Sequence, residues 1–70
     1  MKAIQIGERV EIVAMPEGSF YKKVKGIVTE IKNGFVTVQA DEVMSKWGNE
    51  YKKHPSTCST AGRIENVIIL

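Results

Sequence analysis

Apolar and polar residues alternate from Arg9 to Ala14. Val10, Ile12 and Ala14 fall on one side, and Arg9, Glu11 and Val13 on the other. That is the two-residue period of a half-buried strand. The pattern recurs more densely from Val24 to Val38, where Val24, Ile27, Val28, Thr29 and Ile31 precede Asn33-Gly34, and Val36, Thr37 and Val38 follow it. Asn33 and Gly34 both tolerate positive φ, which a two-residue type I′ hairpin turn needs at each central position. Two strands are therefore predicted, about Val24–Lys32 and Phe35–Ala40, the second with Val36, Val38 and Ala40 on its core face. Val28 and Ile31 lie three apart, so burying both requires a bulge near Thr29-Glu30. A lead-in strand is predicted over 1–6, a Pro16- and Gly18-bearing turn over Met15–Ser19, and a final strand over Val67–Leu70.

Alternation stops from Asp41 to Ser56, where Gly48, Asn49 and Pro55 punctuate the chain. This predicts one long loop between the third and fourth strands, with room for a single helical turn around Val43–Trp47. Thr57–Ala61 has moderate strand propensity, and Gly62–Val67 reads as a tight helical turn. The expected core is Val10, Ile12, Val28, Ile31, Val36, Val38 and Ile69, with Ile27, Ile64 and Val67 at its margin. Residues 1–70 thus read as one small all-β domain of five strands besides the lead-in segment.

Composition adds limits. At 43% hydrophobic and 26% charged, the chain has the make-up of an ordinary globular domain, not a disordered one. No apolar run approaches the length of a membrane span, and the first residues lack the apolar core of a secretion signal. Cys58 is the single cysteine, so no intrachain disulfide can form; the expectation is a reducing, cytoplasmic setting. One Cys and one His at no metal-like spacing give no metal site, and no cofactor motif is legible. No His-Asp relay accompanies Cys58, and the glutamates look like outward strand and turn charges, so an enzyme is not expected.

Five short strands with a glycine early in the second resemble an SH3-like β-barrel. Gly7 to Val13 followed by Gly26 to Ile31 is similar to the KOW motif, with Gly26, Val28 and Ile31 at the glycine, the apolar position two on, and the apolar position three later. Gly7, Arg9, Val10, Ile12, Tyr21, Val24 and Val28 also resemble the PsaE subunits of photosystem I. Both resemblances imply a small barrel; the second implies docking to an acidic, ferredoxin-type protein.

Two basic-aromatic clusters are the candidate sites. One is Phe20, Tyr21, Lys22, Lys23 and Lys25; the other is Trp47, Tyr51, Lys52, Lys53 and His54. Lysines neutralise phosphates and aromatic rings offer stacking faces to bases. In an up-and-down strand order the two clusters meet at one end, with Arg63 expected nearby. Each also has a plainer reading, in which the ring plugs the core and the lysines only solvate a loop. RNA or single-stranded DNA, bound with low sequence specificity, is the first expectation. An acidic protein partner on the same residues is the alternative, since aromatic and basic side chains also favour protein interfaces. The net charge of +2 is too small to decide between them.

Overall fold

The structure, a computed structural model, describes residues 3–70, the side chains of 55–57 excepted. It is all-β. The strands are β1 (Arg9–Ile12), β2 (Tyr21–Lys32), β3 (Phe35–Ser45), β4 (Lys52–Arg63) and β5 (Val67–Ile69), with a 3₁₀ turn at Ile64–Asn66. They form one antiparallel sheet in the order β4-β3-β2-β1-β5.

The two edges, β4 and β5, are joined by only the three-residue turn. Strands lie about 4.8 Å apart, so a flat sheet would separate these edges by about 19 Å. Four residues from Arg63 to Val67 reach about 14 Å at most. The sheet must therefore curl, and Gly62 shows where it closes up. A methyl group added there would sit 2.7 Å from Cγ2 of Ile12, on a strand that is not β4's neighbour. The curl stops short of a closed barrel, because β4 and β5 remain the unpaired edges of the sheet.

Lys32 pairs with Phe35 across a two-residue turn, and both Asn33 (φ 51°) and Gly34 (φ 78°) have the left-handed backbone the type I′ geometry demands. The turn within Met15–Ser19 is closed by the Ser19 N–H donating to the Pro16 carbonyl (3.2 Å). Over its described residues, 3–6, the lead-in segment is not a strand.

The core is aliphatic: Val10, Ile12, Val24, Val28, Val36, Val38, Ala40 and Val43 are buried, with Ile4, Met15, Tyr21, Cys58, Val67 and Ile69 packed around them. A bulge does fall at Thr29, which is skipped between the Val28–Val38 and Glu30–Thr37 pairs. It turns Ile31 onto the face of Val36, its partner. Ile31 is nevertheless 37% exposed, one pair away from the hairpin turn.

The loop expected over 41–56 is shorter than the sequence pattern indicates. β3 continues to Ser45 and β4 starts at Lys52, so only 46–51 connect them, and Val43 belongs to a strand. β3 passes its polar stretch through a second bulge. Asp41 is skipped between Ala40 and Glu42 in the pairing with β2, and four β4 residues, 54–57, stand against it on the other side. β4 is an edge strand, the position in a sheet that tolerates a proline such as Pro55.

Candidate functional site

Among the described residues, none of those in the buried core is aromatic. Phe20 is 75% exposed and Trp47 79%. Large rings normally contribute much of a core's apolar area, so leaving both outside a valine core marks the surface that carries them.

Phe20 ends the β1–β2 loop and Trp47 lies in the β3–β4 loop, and the fold brings the two loops together. Tyr21 pairs with Ser45, and the Lys46 N–H donates to the Phe20 carbonyl (3.4 Å). Lys22 is a third bulge, skipped between the Tyr21–Ser45 and Lys23–Met44 pairs. Bulges re-aim side chains, and here the Lys22 ammonium donates to Asn49 Oδ1 (3.3 Å) across the gap between loops. The Tyr21 and His54 rings meet edge to face at 6.4 Å.

Local chemistry sets the Trp47 turn. Ser45 Oγ accepts from the Trp47 N–H (3.2 Å), and the Ser45 carbonyl accepts from the Gly48 N–H (3.0 Å). Serine favours turns through such side-chain-to-backbone bonds. Lys46 reaches over the Trp47 ring, its ammonium 5.2 Å from the centroid. The loop borders a groove of about 490 Å³ lined by Ser45, Trp47, Gly48, Asn49, Glu50 and Lys52. Lys46 is the site residue that the two-cluster pattern passes over. Its sequence signal is its position beside the tryptophan.

Three other predicted residues serve a separate role on the outward face of the sheet. Arg9 holds Asp41 with both guanidinium ends (2.9 and 3.1 Å) and donates to Glu42 (2.6 Å). The Tyr51 hydroxyl donates to Glu11, and the Lys25 ammonium stands 4.3 Å from the Tyr51 ring centroid. Lys53 pairs across strands with Glu42. Tyr51 is thereby tied to Glu11 of β1, Lys25 of β2 lies against the Tyr51 ring, and Lys53 of β4 stands opposite Glu42 of β3, which Arg9 already holds. Burial, then the bond to Glu11, pushes the Tyr51 phenol well above its ordinary pKa, so it stays a protonated donor. Lys23 pairs with Met44 next to the buried Val24–Val43 pair, which turns both toward the outward face.

Arg63 does not join the patch. It pairs with Phe35 beside the Asn33-Gly34 hairpin, its guanidinium 5.7 Å from the Phe35 ring, near Glu65 (4.0 Å). Strand direction explains this, since β4 leaves the patch at Lys52 and reaches the hairpin at Arg63. The residues brought together are Phe20, Tyr21, Lys22, Lys46, Trp47 and Lys52.

The Arg9 pair has a pH signature. The guanidinium bonds hold the Asp41 carboxyl below its ordinary pKa, against a smaller opposing effect of burial. A lowered folded-state pKa stabilises the fold above the unfolded value, near 4, and that contribution disappears as pH falls through the folded value. Arg9→Met should cost about 1 kcal/mol at pH 7, since these side chains are more than a third exposed. The difference from wild type should shrink as the pH falls below about 4. Urea melts at pH 7 and pH 3 check this, and an equal gap at both would dissociate Arg9 from Asp41 titration.

Among the described residues, no three His, Cys, Asp or Glu side chains gather as metal ligands. No helix among them is long and apolar enough to cross a membrane. No family model, curated protein or solved structure matches the chain.

Proposed function

We propose that this chain binds single-stranded nucleic acid, RNA or DNA, through the joined loops that carry Phe20 and Trp47. The observation that supports the reading is the exposure of both rings on adjoining loops, with Lys22, Lys46 and Lys52 around them. Exposed aromatic faces flanked by ammonium groups are what a flexible strand needs, because bases stack and phosphates pair with cations. The lysines reach backbone phosphates, which position a strand without reading it. Lys46 covers one face of Trp47, and a base takes the other. The resemblance to SH3-like and KOW-type modules belongs to the same proposal, and the meander of four strands, 3₁₀ turn and fifth strand is compatible with it.

The test is a titration of a fluorescent single-stranded oligonucleotide at several salt concentrations. Affinity should fall linearly with salt on a double-logarithmic plot, as phosphate contacts release condensed counterions. Trp47→Ala should cost roughly 1–3 kcal/mol of binding without lowering the melting temperature, because the ring stacks on a base and supports no core. Absence of binding to any single strand at about 50 mM salt would defeat the reading. The same patch would then be left to the acidic protein partner.

A further inference from the structure

Glu50 is out of place on a surface built only for phosphates. It lines the same groove as Trp47, Asn49 and Lys52, and joins none of the ion pairs found among the described residues. A carboxylate there repels a backbone phosphate. Its oxygens can only accept, and they match a ligand group that presents N–H donors.

From this we infer that the groove is a base-reading site and that the base it selects is guanine. The inference rests on the nucleic-acid reading of the patch and gives it a sequence preference. The size of the groove, about 490 Å³, is within the range of small-ligand clefts. Trp47 supplies its stacking wall. Unpaired bases in single strands are read in this way, with an aromatic ring against the face and polar groups on the Watson–Crick edge.

The donor and acceptor pattern singles out guanine. Guanine alone among the bases offers two adjacent N–H groups on that edge, at N1 and at the exocyclic N2. The two oxygens of one carboxylate accept such a pair side by side, as they accept the fork of an arginine. Next to these donors guanine carries the O6 acceptor. Asn49 is poised to serve it. Its Oδ1 already accepts from Lys22 (3.3 Å), which leaves the amide N–H₂ as the free donor of that side chain. Adenine and cytosine each bring one amino group to the carboxylate, and uracil brings a single ring N–H between two carbonyls that the carboxylate repels. Lys52, which also lines the groove, takes the neighbouring phosphate.

The experiment uses the full chain and fluorescein-labelled heptanucleotides: U₃GU₃, U₃AU₃, U₃CU₃, U₇, U₃IU₃ with inosine at the centre, and their deoxy counterparts. The guanine oligonucleotide should bind about tenfold tighter than the adenine, cytosine and uracil ones, the advantage expected of a good bidentate contact. Inosine keeps N1–H and O6 but lacks the N2 amino group, so it should lose most of that advantage. Glu50→Gln offers one acceptor oxygen in place of two. It should bring the guanine oligonucleotide down to the level of the others, while U₇ binds as well as before or tighter. Glu50 is an exposed loop residue, so the variant should melt like wild type. Equal affinities for all oligonucleotides overturn the guanine site and leave the general binding reading in place. A guanine preference that survives Glu50→Gln overturns the role of this carboxylate. No binding to any oligonucleotide overturns the nucleic-acid reading, and the guanine site with it.

Discussion

Gly26→Ala is expected to lower the melting temperature by about 12–24 °C, a cost of about 3 kcal/mol in a domain of this length. Gly26 is buried on the core face of β2, between Val10 of β1 and Ala40 of β3. A Cβ built there would stand 2.2 Å from the Gln39 carbonyl oxygen and 2.7 Å from Ala40 Cα. Those atoms are backbone, so no rotamer change relieves the clash. The close approach has a local cause, since Gly26–Ala40 is the pair next to the Asp41 bulge, where β3 carries one residue more than β2. Alanine would push β2 and β3 apart at that pair. A methyl group is the smallest intrusion that a side chain can make, and a domain this small has little stability to lose. Thermal unfolding followed by circular dichroism measures the effect. A melting temperature within a few degrees of wild type would mean that the strands are not this close.

Local rules carry the fold as far as they apply. Asn33-Gly34 dictates its hairpin because few other pairs accept positive φ twice, and Val10, Ile12, Val36 and Val38 follow from strict alternation within unbroken strands. The rules fail at bulges. Val24 and Val43 are buried partners, but the Lys22 and Asp41 bulges disturb the two-residue period on either side of them. Asp41-Glu42 reads as the start of a loop because two acidic residues in a strand look unfavourable. What makes them acceptable is Arg9, 32 residues away in sequence for Asp41, and no local pattern contains that pairing. The clusters of the site were legible as composition, and their meeting followed from antiparallel strand order. Which lysines face the loops was not legible. The Tyr51 ring against Lys25 and the Glu42 opposite Lys53 come from distant parts of the chain, as Arg63's placement comes from the direction of β4.

Lys46→Glu combined with Lys52→Glu should weaken single-strand binding on the order of a hundredfold at about 50 mM salt, and flatten the salt dependence by about two phosphate contacts. Both lysines are exposed, one over the Trp47 ring and the other in the groove beside it, so reversal should leave the core intact. The loss should be uniform across oligonucleotide sequences, because phosphate contacts position the strand and do not read it. Total charge alone would also weaken binding, since two reversals take the chain from +2 to 2 − 4 = −2. The control is Lys32→Glu with Arg63→Glu, which makes the same change at the hairpin end, where Lys32 pairs with Phe35 and Phe35 with Arg63. Exposed charges separated by more than about 8–10 Å of salt solution are largely screened from one another. The hairpin variant should therefore bind within a few-fold of wild type at about 150 mM salt, while the patch variant remains strongly impaired. If both pairs weaken binding equally at that salt, the strand is held by the overall field and not by the Phe20–Trp47 loops.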